Sequence, residues 1–298
     1  MWFKQIKIFE VISPIDQIIS LEEQLERLIF EPCGTNTPFT AGWVTPTNEE
    51  EGILVHDYKN YKMICLQTEE KIVPIYVVQQ ELTAIIKQLE LAQQRTISNK
   101  EKLILKHKVY STLLPKAFSR INKIYAYFDT ANKWLILNTI NPKKAEVFLA
   151  TIQKTIEELE IRPLSAKNLT TTMTNWLQQE NCPAPLCIED HCVLKEPRKI
   201  SKLIRCQGQD LFSKGIQLFL KDGYQVDQIV ITWQDQVTFV LKENFNLSSV
   251  RYGEQIISAT KMYLLDHAAD RFIADFIIMT ETLNLMINNL LKIFNKKD

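Results

Sequence analysis

The chain has 298 residues, 46% of them hydrophobic and 23% charged, with 35 basic and 35 acidic side chains and no formal net charge. This balance excludes a disordered polypeptide and allows a substantial core, in one large domain or two of ordinary size. The neutral total by itself argues against a nucleic-acid partner, since domains that bind one tend to be basic.

The opening, Met1 to Ser13, is rich in Ile, Val and Phe and predicts a strand. Lys4 and Lys7 break its apolar run, so no signal peptide is expected and the cytoplasm is the default compartment. Leu21, Leu25, Leu28 and Ile29 recur at helical spacing up to the stop at Pro32-Cys33-Gly34. Short strands are expected at Ile53–His56 and Tyr61–Leu66. Val78, Leu82, Ile85, Ile86 and Leu89 then form one apolar helical stripe. Ser98 and Glu101 have the spacing of a capping box, and the helix they open should run toward Leu114, where Pro115 stops it. If the two helices are nearly continuous, Lys102 and Lys106 align with Arg95. The result is a helical hairpin or bent rod carrying cations.

Ile124–Asp129 and Trp134–Asn138 read as paired strands, and Pro142 as the first turn of a helix reaching Leu159. Pro163 and the Ser/Thr/Asn-rich stretch behind it suggest a boundary, dividing the chain into 1–164 and 165–298. The second part should hold strands at Gln225–Trp233, Val237–Leu241 and Leu247–Tyr252. It closes with a long helix whose apolar positions run from Phe272 to Leu290, interrupted by too many polar residues for a membrane span. The expected class is α+β, with short strands in hairpins, long amphipathic helices and a projecting basic helical pair.

Catalytic signatures are missing. None of the seven glycines falls in a dinucleotide or Walker-type loop, and no G-x-S-x-G or H-E-x-x-H occurs. His56, His107, His191 and His267 are scattered. Cys182, Cys187, His191 and Cys192 lie within eleven residues, but their spacing suits loop thiols and a surface histidine better than zinc. All six cysteines are expected to be reduced. Asp270 and Asp275 could in principle bind a nuclease metal, yet read as solvent-facing helix charges. No cofactor, metal or catalytic activity is expected.

Charge is segregated along the chain. Residues 1–60 hold ten acidic against four basic side chains. Over the 37 residues from Lys87 to Lys123, nine cations face only Glu90 and Glu101. Lys195, Arg198, Lys199, Lys202 and Arg205 form a second run opposed by Glu196. Solvated helix faces look similar, but an imbalance sustained over such a length produces a local field that phosphates feel.

Just beyond the first run stands Leu113-Leu114-Pro115-Lys116-Ala117-Phe118-Ser119-Arg120. The string resembles the signature of the recombination-associated RdgC family of bacteria. Collinear matches extend from Trp2-Phe3-Lys4 through Pro32-Cys33-Gly34, Gly42-Trp43-Val44, Lys143-Lys144-Ala145-Glu146 and Gln209-Asp210-Leu211 to Ala274-Asp275-Phe276-Ile277. The resemblance implies a non-enzymatic, nucleoid-associated homodimer, shaped as a ring with a positive hole. Such a protein binds double- and single-stranded DNA without sequence preference and limits access of the RecA recombinase. It also implies dimer contacts at Phe118 and Gln209; the reading of Phe118 from residues alone is a buried aromatic behind Pro115. Where the family carries lysines just before the equivalent of Gln209, this chain has Gln207-Gly208. The expected phosphate contacts are Lys100, Lys102, Lys106 and Lys108, flanked by Arg95, Lys116, Arg120 and Lys123. Lys199, Lys202 and Arg205 would supply charge in the second half. Two other readings are a scaffold docking an acidic protein and a metal-dependent nuclease.

Overall fold

The computed structural model describes every residue except 15–17, 19, 48–51, 198–201, 262–267 and 296–298. The α+β class holds, as two antiparallel sheets with helices packed on them. The first sheet contains β1 (Lys7–Val11), β2 (Phe39–Val44), β3 (His56–Tyr58), β4 (Tyr61–Ile72), β5 (Phe118–Asp129), β6 (Trp134–Leu137) and β7 (Ile161–Pro163). Its order is β2-β4-β5-β6-β1-β7, with β3 also on β4. The second sheet has the order β12-β11-β10-β8-β9, from β8 (Leu186–Lys195), β9 (Leu203–Gln207), β10 (Gln225–Trp233), β11 (Val237–Lys242) and β12 (Leu247–Tyr252). The helices are α1 (Leu21–Leu25), α2 (Ile75–Gln93), α3 (Asn99–Leu113), α4 (Pro142–Thr155), α5 (Leu169–Gln178), α6 (Lys214–Lys221), α7 (Glu254–Lys261) and α8 (Ala268–Asn295).

Because side chains alternate along a strand, the first sheet can fill two cores. Ile64, Leu66, Ile124, Ala126 and Phe128 face α1 and α4, where they meet Leu21, Leu25, Phe148 and Ile152. On the opposite face Tyr61, Met63 and Tyr127 meet Phe276, Met279 and Leu283 of α8. The same helix continues with Met286, Ile287, Leu290 and Phe294 into the core of the second sheet, and Phe294 lies 5.1 Å from Trp176 and 6.3 Å from Phe245 between ring centroids. The apolar period expected for the closing helix is thus its buried stripe. Each fully buried side chain of this size contributes about 1.5–3 kcal/mol.

The two sheets also share backbone. Ile6 and Leu247 exchange hydrogen bonds of 2.8 and 3.0 Å, and Val250 donates to the Lys4 carbonyl at 3.0 Å. Residues 4–6 therefore extend the edge of β12 before the chain enters β1. Asp275, expected to face solvent, instead pairs with the Met1 amino group. Asp129, 1% exposed, closes the β5–β6 turn. Its carboxylate accepts from the N–H groups of Ala131 (3.1 Å) and Asn132 (3.0 Å), and from the amides of Asn132 and α8 residue Asn284, both at 2.7 Å.

Other boundaries moved. The strand expected at Ile53–His56 shares only His56 with β3, and β5 starts six residues before Ile124. The Ser/Thr/Asn-rich segment behind Pro163 opens α5, whose Leu169, Met173, Trp176 and Leu177 bury one face. Gly42 explains part of its own motif. Ile29 pairs in parallel with Trp43 there, and a Cβ at Gly42 would stand 2.4 Å from Phe30 Cα and 2.7 Å from the Ile29 carbonyl carbon. Neither obstacle is a side chain that can swing aside. Gly42→Ala is expected to lower the unfolding free energy by about 3 kcal/mol, read as a shifted urea midpoint.

Candidate nucleic-acid interface

β4 and β5 form a twelve-pair ribbon, from Tyr61 opposite Asp129 to Ile72 opposite Phe118. Helices α2 and α3 connect its far ends. Val78 and Leu82 of α2 are buried, and its Ile85 and Leu89 face Leu105, Val109 and Leu113 of α3 across an apolar groove. The helices are not continuous. Gln94 takes a left-handed conformation (φ 51°) that ends α2, and the chain folds back. Arg95 is therefore not the in-line extension of Lys102 and Lys106 that near-continuity would give.

The return is held by the expected capping box. The Ser98 hydroxyl accepts from the Glu101 N–H at 3.3 Å, and the Glu101 carboxylate accepts from the Ser98 N–H at 2.9 Å. Glu101 also accepts both branches of the Arg95 guanidinium, at 3.0 and 2.6 Å. Arg95 first, and the Ser98 donors second, hold the Glu101 carboxyl down at about 2. The pair is fully ionised at neutral pH, so the charge of Arg95 is already answered within the turn.

Four lysines sit on α3. At about 100° per residue, Lys102 and Lys106 lie on one flank of the apolar stripe, Lys108 on the other and Lys100 on the far side. Lys100, Lys106 and Lys108 are exposed and Lys102 is half-buried. Lys116, in the turn after Pro115, and Lys123, on β5 opposite Gln67, are also exposed. Among the described residues none of these six has a carboxylate within ion-pair distance. Arg120 differs, because it pairs with Glu70 at 2.9 Å. Phe118 is 87% exposed, which overturns its reading as a buried aromatic. Ile72, its ribbon partner, is exposed beside it.

The second basic run lies on the β8–β9 hairpin, in the other sheet. Lys195 approaches Asp227 and Glu243 at 3.6 and 3.4 Å, and Lys202 approaches Glu196 at 3.5 Å. Arg205, opposite Val193, is exposed without such a partner among the described residues. Arg198, Lys199 and His267 lie outside the described residues. Gln209 is exposed, and its N–H reaches the Asp190 carbonyl at 3.4 Å.

Of the supposed loop thiols, Cys192 is buried within β8 directly opposite Cys206 of β9. Burial, more than the neighbouring Cys206, pushes its thiol well up. No group of three or more His, Cys, Asp or Glu side chains among the described residues is placed to hold a metal ion. The sequence reading gave Lys143 and Lys144 no role as cations. They stand in the first turn of α4, lining one cleft with Arg120, Asn122 and Ile124.

A family model described as "Putative exonuclease, RdgC" matches residues 1–297. The chain belongs to the RdgC family. It is 33% identical over 294 residues to the recombination-associated protein RdgC of Yersinia enterocolitica serotype O:8 / biotype 1B, covering 98% of this chain and 97% of that one. The protein of the same name from Yersinia pestis (strain Pestoides F) is 32% identical over the same span. The RdgC relatives carry a recombination name and the RdgC family model an exonuclease description, which stands against the expected lack of catalysis. No helix among the described residues is long and apolar enough to cross a membrane.

Proposed function

We propose that the chain is a sequence-independent binder of double- and single-stranded DNA. It acts as a nucleoid-associated, cytoplasmic homodimer that modulates recombination by limiting RecA access, without cleaving the DNA. The observation that carries this reading is the set of unpaired lysines on and just after the capped helix α3. Flexible ammonium groups on several sides of one helix suit phosphate contacts, which need no base-edge geometry. Arg95 and Arg120 hold the scaffold through their ion pairs with Glu101 and Glu70, while Lys100, Lys102, Lys106, Lys108, Lys116 and Lys123 meet the DNA backbone. Arg205 provides a second contact, while Lys202 is already answered by Glu196. The exposed ring of Phe118 supports a place in the dimer contact, with Gln209 at another, and closure of the two contacts gives the ring.

A salt titration tests the reading. If those six lysines meet phosphate on both protomers, log K of the dimer falls against log salt with a slope of about −11, equally for duplexes of unrelated sequence. A slope near zero refutes it and favours the scaffold. The family description keeps a second reading in play: cleavage of plasmid DNA with magnesium or manganese would establish the nuclease.

A further inference from the structure

β6 covers only part of the edge of β5. It pairs with Ala126 to Asp129, Asn138 then donates to the Tyr125 carbonyl at 2.9 Å, and the chain turns off into α4. From Phe118 to Ile124, β5 keeps its ladder with β4 on one side and has no strand on the other among the described residues. Main-chain groups of successive residues point to opposite edges of a strand. Since the Tyr125 carbonyl faces the lane of β6, the N–H and C=O groups of Lys123, Ile121 and Ser119 face the same lane where it is empty. The open stretch is about 23 Å long at ~3.3 Å per residue. Such a row of unpaired donors and acceptors is a template for another strand.

The flanks indicate which strand. On the face shared with α4, a cleft of about 280 Å³ runs from Asn122 and Ile124 across Thr68 and Glu70 of β4 to Phe39 of β2, with Asn141, Lys143, Lys144 and Val147 along α4; its carboxylate, Glu70, is already held by Arg120. Lys143 and Lys144 are exposed and have no carboxylate within ion-pair distance among the described residues. On the other face stand Lys123 and Ile121, the latter 57% exposed. An added strand would point alternate side chains at the two lysines of α4 and the rest at Ile121. A second copy of this edge is disfavoured, because its own Arg120 and Lys123 would approach like charges. Nucleic acid fits poorly too. Phosphates can accept from the N–H groups but meet the intervening carbonyls as repelling oxygens.

We infer that the outer edge of β5 from Phe118 to Ile124 is a docking lane for an extended segment of a partner protein, acidic at every second residue and β-branched between. The probe is a fluorescent peptide of about ten residues alternating glutamate and valine, titrated into the full chain and followed by anisotropy. Saturable binding is expected, weakened at least ~10-fold when alternate peptide nitrogens are methylated, which deletes backbone donors and leaves side-chain charge intact. A comparable loss is expected in the K143E/K144E chain. The amides of Ser119, Ile121 and Lys123 should exchange more slowly with peptide bound. Absence of saturable binding overturns the inference. So does equal affinity for the methylated peptide, which would mark the cleft as a bare anion surface, as would loss of the peptide to duplex DNA with no change at those three amides.

Discussion

Charge reversal at Lys100, Lys102, Lys106 and Lys108 together, each to glutamate, is expected to weaken duplex binding by about a hundredfold or more at moderate salt. Four attractive contacts become four repulsive ones on a single helix. The fold should survive. Three of the four side chains are exposed, and none is ion-paired among the described residues. Acidic residues at 100 and 102 also suit the positive end of the α3 dipole. Lys102 and Lys106 lie one turn apart, so glutamates there repel by only a few tenths of a kcal/mol. The neutral version, with four glutamines, separates charge loss from repulsion: the salt slope of the dimer should shrink by about 7, at ~0.9 for each of the lost contacts on the two protomers. Fluorescence anisotropy on a short duplex across a salt series reads both variants, with the thermal midpoint as control. Unchanged affinity in a folded charge-reversed chain would remove α3 from the interface.

Asp129→Ala should be the most damaging single truncation at the junction of the sheets, lowering the unfolding free energy by about 3–5 kcal/mol. Its carboxylate is buried and accepts four hydrogen bonds, two of which shape the β5–β6 turn and one of which ties that turn to α8. Alanine leaves those donors facing an apolar methyl group and closes no cavity. Asp129→Asn keeps the shape and one acceptor oxygen, so roughly half the loss is expected. Urea unfolding measures both, and a loss under about 1 kcal/mol for alanine would mean that the turn is held by its backbone alone.

Elements whose signal is local were readable from the residues. The Ser98–Glu101 box is complete within four residues, and the stripe of α8 repeats over more than four turns. β10, β11 and β12 fall where their apolar runs put them. Elements made by distant partners were not. Phe118 to Lys123 carries no buried alternation, and it is a strand because β4 continues beside it to Ile72. The same distance hid the state of the cations. Glu70 lies fifty residues from Arg120, so the sequence shows a basic run where the fold has one arginine already neutralised. α5 was concealed by composition, since its four threonines in ten residues resemble a linker until Trp176 and Leu177 are seen packed inside.

The pairing of Ile6 with Leu247 has a consequence in time. The two residues are about 240 positions apart, and at synthesis rates of ~5–20 residues per second the second arrives on the order of 10–50 s after the first. For that interval Phe3 and Ile6 have neither β12 nor α8 to cover them, although most of the first sheet already exists. A nascent chain should therefore remain open at the join between its sheets until its last helix emerges. Slowing release of the final fifty residues should prolong protease sensitivity at the N-terminal segment, while the β4–β5 ribbon is already protected.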